Sequence, residues 1–323
     1  MRGALLVPIA ILAGCYSPHY QDCVISCASN ACPSGFDCRD DKMCRPSDTT
    51  GTCQNIESDA RQLVDTSGDA PYPTGMWNAA QMVDVMMPDV SDPTLTDDLL
   101  EMYFTHLGDI WVTKRSSTAS AWSTPVAVPE LGSPVSDHNP NMTPDGLTML
   151  LASDRPGSTG IDLWQSKRSS RSVPWGTPVR VPELESNVSD NSASLSYDEL
   201  TIVFSSDRLG SNTDIFMATR TAGSPWTGVR ELPELNIVNQ EDTHPWLSPD
   251  KRTIYFMSDR TGGGDLYVAR RATPADPFDM PQAISELNHG SNFDGDPWVS
   301  PDGHHIFFAS DISGVSHIYE ATR

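Results

Sequence analysis

The chain is short of positive charge, carries no cysteine after Cys53 and has no long apolar run beyond its first residues. Only 21 Lys and Arg stand against 43 Asp and Glu, a formal net charge of −22 over 323 residues. So acidic a surface repels phosphate backbones and anionic lipid heads, which sets nucleic acid aside as a partner. The apolar run from Ala4 to Ala13 is ten residues long, too short to anchor stably across a bilayer. There is no His-Glu-x-x-His, no Gly-x-Ser-x-Gly and no glycine-rich phosphate loop, so zinc-peptidase, serine-esterase and nucleotide chemistry lack their usual residues. No helical periodicity of any length competes with strand patterns.

What is present begins with an export signal. Met1-Arg2 is a short positive region, the apolar run follows, and Leu12-Ala13-Gly14-Cys15 closes it. This ending resembles the lipobox of bacterial lipoproteins, which implies cleavage before Cys15 and lipidation of that cysteine. Tyr16, and not Asp, comes next, and by the same analogy this favours the outer membrane. Residues 1–14 are therefore read as a lipoprotein signal peptide. Setting Cys15 aside leaves Cys23, Cys27, Cys32, Cys38, Cys44 and Cys53, clustered in a segment too short to build its own core. In an exported chain six such cysteines read as three disulfides of undetermined pairing. Their spacings lack the paired knuckles of a zinc site. Residues 15–53 form this module, similar to small EGF-like or knotted folds, and the polar, acidic stretch 54–75 reads as a linker.

From residue 76 to 323 the chain repeats itself. Turns of Ser-Pro-Asp-Gly type start at Thr143, Ser196, Ser248 and Ser300, with a degenerate copy at Thr96. Pro pre-sets φ at the second position of such a turn, and Asp and Gly tolerate the rest. Each turn leads into an apolar run such as Ile202-Val203-Phe204 or Ile254-Tyr255-Phe256, which reads as a strand buried on both faces. Ser153-Asp154-Arg155, Ser206-Asp207-Arg208 and Ser258-Asp259-Arg260 follow, truncated to Ser310-Asp311 in the last copy. A second strand (Asp214-Ile215-Phe216 and its equivalents) comes next, then a third announced by Trp122, Trp175, Trp226 or Phe278. A short apolar segment before each turn, such as Pro245-Trp246-Leu247, supplies a fourth and innermost strand.

Four strands in a unit of about fifty residues make a propeller blade. The consensus S-P-D-G-x-x-I-x-F-x-S-D-R-x-G-x-x-D-[IL]-[WYF] resembles the Pro-Asp repeat of TolB-like, WD40-like β-propellers, and the likeness covers the whole repeated region. The resemblance implies an all-β fold, here a five-bladed β-propeller with four-stranded blades. The last copy lacks its outer strand, and Trp77 to Val83 has the look of an orphan one, so an N-terminal outer strand is expected to close the ring.

Groups present in every blade are scaffold first. The Asp-Arg pairs at Asp154, Asp207 and Asp259 and the turn acids Asp98, Asp145, Asp198, Asp250 and Asp302 are read that way. The loops entering the innermost strands are expected at one mouth of the axial channel. They carry Asp89 and Asp92, then Asp137, His138 and Asn139, then Asp190 and Asn191, then Asp242 and His244, then Asp294 and Asp296. Asp137, His138, Asp190, Asp242, His244, Asp294 and Asp296 are the expected ligand-binding set, an acidic funnel suited to Ca2+ or a cationic ligand. Alternatively, the equivalent acids Asp137, Asp190, Asp242 and Asp294 bond local backbone amides. No catalytic residue and no other cofactor is expected. The expected function is a non-catalytic cell-envelope lipoprotein, membrane-held through its lipid, whose propeller is a platform for an envelope protein or a saccharide. The alternative is an extracytoplasmic glycoside hydrolase or lyase using the mouth acids.

Overall fold

The computed structural model describes the backbone of residues 36–38 and 44–46, and residues 72–158, 160–210 and 212–323 throughout. The signal peptide, Cys15, Cys23, Cys27, Cys32, Cys53 and most of the expected linker lie outside the described residues. The chain divides into two units, Met1–Leu63 and Val64–Arg323. In the first, Phe36–Cys38 and Cys44–Pro46 pair antiparallel in a register that sets Cys38 opposite Cys44.

The second unit is a five-bladed β-propeller of antiparallel four-stranded sheets. Its innermost strands are Val90–Leu95, Asp137–Met142, Asp190–Leu195, Asp242–Leu247 and Asp294–Val299, which number blades 1 to 5. Second strands such as Thr201–Ser206 and Thr253–Ser258 are buried at every residue, because a blade sheet packs against a neighbour on each side. Each innermost strand begins on one face of the disc, here the upper face, and the hairpin turn after it lies on the lower. The first amide of each innermost strand donates to a carbonyl of the preceding blade: Val90 to Ser316, Asp137 to Gly108, Asp190 to Ile161, Asp242 to Thr213 and Asp294 to Gly264. Five equivalent bonds thus stitch the upper rim.

The turn chemistry is equally regular. Hydroxyls of Thr96, Thr143, Ser196, Ser248 and Ser300 donate to Asp98, Asp145, Asp198, Asp250 and Asp302 at 2.5 to 2.7 Å. Each carboxylate also accepts the backbone amide two residues on, at Leu100, Leu147, Leu200, Arg252 and His304. These Asp residues close turns by bonding local backbone, as Asp in that position does.

A second fivefold device follows every third strand. Arg115, Arg168, Arg220, Arg271 and Arg323 stack over Trp122, Trp175, Trp226, Phe278 and Trp77 at 4.2, 4.3, 4.2, 4.3 and 4.0 Å. Each guanidinium also donates through Nε to a carbonyl of its hairpin turn, those of Leu99, Gly146, Glu199, Lys251 and Gly303. The cation is held between an aromatic face and a backbone oxygen, which locks the lower end of the blade.

The fifth pair closes the ring, because Trp77 comes from the opposite end of the chain. Gln81–Met82 forms the outer strand of blade 5, Met82 opposite Tyr319 and Gln81 opposite Glu320. Trp77 occupies the place that Trp122, Trp175, Trp226 and Phe278 take in the other blades. The stretch read as linker ends earlier than its composition suggests. Tyr72 packs its ring 6.4 Å from that of Trp246 and donates its hydroxyl to the Ser300 carbonyl, so residues 72–75 lie on the lower face of the propeller. An aromatic side chain with an apolar surface to cover binds where a polar stretch does not.

Blades 1 and 2 are joined by a buried ionic cluster. Glu101 accepts from Arg168 at 3.1 Å, Arg171 at 3.0 Å, Lys114 at 2.8 Å and the Tyr103 hydroxyl at 2.9 Å, with its own side chain 2% exposed. Burial opposes its charge, but the hydrogen bonds from Lys114 and Arg168 prevail and hold the carboxyl at about 2, against an ordinary 4.5. A depressed carboxylate contributes stability above its unfolded value and loses it as pH falls toward the folded one. Glu101→Gln is therefore expected to lower stability at pH 7 by about 3–5 kcal/mol, since it strands the buried Arg168. The gap between the two proteins in urea unfolding is expected to shrink below about pH 4.5 and to be constant above it.

Candidate functional site

The axis of the propeller is lined by the third residue of each innermost strand: Asp92, Asn139, Ser192, His244 and Asp296. All five have left-handed backbone, with φ of 53°, 50°, 41°, 53° and 55°. Each sits in a bulge where pairing with the second strand shifts register. A bulge turns one side chain out of the pleat, here toward the axis, and Asp, Asn and His tolerate positive φ better than most residues. Four of the five are followed by proline, and Ala193 takes that place in blade 3. Five strained positions on one axis are a common location for function.

Four of the five side chains form one network. Asn139 Nδ2 donates to Asp92 Oδ1 at 2.6 Å and lies 2.8 Å from His244 Nε2. His244 Nε2 is 3.2 Å from Asp296 Oδ1 and 3.5 Å from Asp92 Oδ1. The Asp92 amide donates to Asp296 Oδ2 at 3.2 Å. Burial is the main force on Asp296 and, with the nearby charge of Asp92, pushes its carboxyl up to about 7 against the pull of His244. The cavity they enclose is about 30 Å3, room for a water or two.

Of the expected set, His244 and Asp296 meet here, joined by Asp92 and Asn139. His138 stands half-buried beside them. Burial lowers its pKa, opposed by the charge of Asp92 and assisted by that of His244. Asp137, Asp190, Asp242 and Asp294 do not face the axis, a correction to the acidic funnel. They are first residues of their strands, fully buried, and engaged elsewhere. Asp137 binds Arg155, Asp190 binds Arg208 and Asp242 binds Arg260. Each arginine also donates to the Leu131, Leu184 or Leu235 carbonyl at 2.6 to 2.7 Å. The backbone amides of Ser186, Ile237 and His289 donate to Asp190, Asp242 and Asp294. Blade 5 has Ile312 where the others have arginine, and Asp294 meets His289 Nδ1 at 3.1 Å instead. A calcium ion bound by these four acids would have to displace buried ion pairs. A two-residue offset along a strand with a bulge separates the clamp from the axial ring, and sequence spacing does not reveal the bulge.

The upper face around the axis has a second character. Met86, Leu107, Val188, Leu209, Ile237, Val238, Ile312 and Val315 are exposed there, Val238 to 86% and Leu107 to 79%. The loops bearing them contain no lysine, and their one arginine, Arg208, is paired with Asp190, as Arg155 and Arg260 in the corresponding loops of blades 2 and 4 are paired with Asp137 and Asp242. Acids are exposed among them at Asp84, Asp89, Glu130 and Asp154. At Asp214 partial burial and the surrounding Glu231, Asp242, Glu241 and Asp207 push the carboxyl up to about 6. The face is thus apolar and negative together.

No family model matches the sequence. Among solved structures, the chain is similar to a putative TolB from Agrobacterium tumefaciens at 17% identity and TM-score 0.45, covering 73% of this chain and 79% of that one. It is also similar to a thermostable family-43 glycoside hydrolase (14% identity, TM-score 0.50, 72% and 89% covered). A third likeness is to the α-L-arabinofuranosidase PaAbf62A from Podospora anserina (9% identity, TM-score 0.51, 77% and 96% covered). At such identities the shared property is the fold.

The Asp-Arg clamps and the axial ring are separable by mutation. Asp242→Asn is expected to cost about 3–5 kcal/mol, because Arg260 is left buried without its counter-charge. Asp294→Asn is expected to cost less, since its side-chain partner His289 is part-exposed and no guanidinium is left without its counter-charge. Urea midpoints with unchanged slope measure both, and equal losses would contradict this assignment.

Proposed function

We propose that the protein is a non-catalytic, lipid-anchored component of the bacterial cell envelope whose propeller docks a protein partner on its upper face. The observation that carries this reading is the exposure of eight aliphatic side chains on one face of the disc. Exposed apolar side chains gathered on one face are typical of an interaction site. The negative charge of the same loops gives the partner its chemistry: it offers apolar side chains together with Lys or Arg. Rigid blades favour this role, because loops held by fivefold stitching present a surface without ordering cost.

The glycoside hydrolase reading has less in its favour. Such enzymes place two carboxylates about 5 to 9.5 Å apart across a sugar. Here Asp92 and Asp296 offer oxygens within 4.8 Å of one another, and the space between them is about 30 Å3, too small for a sugar ring. Of the acids expected at the mouth, four are tied into buried bonds.

Anchoring through Cys15 follows from the lipobox resemblance and supplies the membrane attachment. The acyl chains of a lipoprotein terminus hold stably, as two chains do and one does not. Cys15→Ser is expected to abolish incorporation of labelled fatty acid and to release the protein from membranes, and continued membrane association of that variant would contradict the anchor. A photoreactive residue at Leu107 or Val238 is expected to trap an envelope protein in cells, with less trapping at raised salt. The same residue at Tyr197, exposed on the lower face, is expected to trap none. Equal trapping from both faces, or none from the upper, would sink the docking reading.

A further inference from the structure

In the axial ring one imidazole nitrogen, His244 Nε2, faces Asn139, Asp296 and Asp92 together, more partners than its single lone pair or proton serves. If His244 Nε2 accepts from Asn139, its lone pair also points toward the oxygens of Asp296 and Asp92, at 3.2 and 3.5 Å. If it carries a proton instead, that proton meets the amide hydrogens of Asn139. The other ring nitrogen, Nδ1, is buried without a hydrogen-bond partner among the described residues. Ser192, only 6% exposed, lines the same cavity with a hydroxyl that also has no partner there. An unsatisfied buried hydroxyl beside two facing carboxylates costs stability unless something bonds them all.

We propose that the axial ring is a binding site for one divalent first-row cation of the Mn2+ or Zn2+ kind, ligated by Asp92, His244 and Asp296. One donor atom from each lies within 4.8 Å of the others. Ligands bonded at about 2.1 Å in adjacent octahedral positions stand roughly 3 Å apart, close to the 3.2 and 3.5 Å between His244 and its two acids. Two carboxylates match the charge of the ion. Asn139 joins as an oxygen donor when its amide turns over, which exchanges Oδ1 for Nδ2 in the same place. The Ser192 hydroxyl or a water in the remaining space completes the sphere. The imidazole nitrogen directs the choice of metal, because nitrogen donors suit Zn2+ and Mn2+ better than they suit Ca2+ or Mg2+. The left-handed bulges hold the donors in place before an ion arrives, so binding requires little rearrangement. The site joins blades 1, 4 and 5 across the axis, and it stands independently of the docking surface.

The test uses the whole mature chain, stripped with chelator and titrated by calorimetry with Mn2+, Zn2+ and Ca2+ in turn. One Mn2+ or Zn2+ per chain is expected, bound more tightly than Ca2+. Asp296→Asn and His244→Asn are expected to weaken it at least about tenfold. Asn accepts the positive φ at 244, and removing one of two facing carboxylates leaves the metal-free Asp296→Asn protein melting no lower than the parent. A readout without mutation is the NMR spectrum: Mn2+ is expected to broaden the ring signals of His244 and His138 while those of His304, exposed on the lower face, stay sharp. Failure of the parent to bind, unchanged affinity in Asp296→Asn, or broadening that spares His244 would overturn the site. A preference for Ca2+ would overturn the assignment of its metal class.

Discussion

Both faces of each blade are apolar, so no blade can be the last one. The all-buried second strands, from Thr148–Ser153 in blade 2 to Thr253–Ser258 in blade 4, need a neighbour on each side. An open stack would leave a sheet face and a strand edge in water. The remaining features enforce closure. Rim bonds join each innermost strand to the blade before it, Glu101 bolts blade 1 to blade 2, and Gln81–Met82 completes blade 5. Loops on the two faces then need only local bonds to be rigid, and a rigid face is what recognition requires.

The fold was legible because it is written five times. Repeated turns, apolar runs and the aromatic before each outer strand fix the number and order of strands, and the lone Trp77 pointed to the closing one. The propeller itself is present as expected, with five four-stranded antiparallel blades. The arginine after every third strand was also in view, at Arg115, Arg168, Arg220, Arg271 and Arg323. A cation at a strand end has the pattern of surface, and only the fold sets its aromatic partner above it.

The site was less legible, for a physical reason. A strand alternates its faces every two residues, and by that rule Asp137 and Asn139 share a side. The bulge breaks the rule, sending the first residue into an arginine clamp and the third to the axis. Sequence marks the bulge only through proline at Pro93, Pro140, Pro245 and Pro297, where a missing amide is tolerated. Asp92 and Asp296 were visible as acids among many, and their meeting with His244 depends on three blades far apart in sequence. Convergence of that kind is a property of the ring and not of any segment.

Trp77 under Arg323 has a consequence in time as well as space. A chain that emerges from its N-terminal end exposes residues 77–83 first and the strand His317–Thr322 last. Until that final strand appears, Trp77 has no arginine to stack on and blade 5 has no outer edge. No intermediate with fewer blades is self-contained, so the early blades wait with unpaired edges, a state prone to misassembly. A sequence unable to complete its architecture before its last strand arrives stays threadable for as long as it is being made.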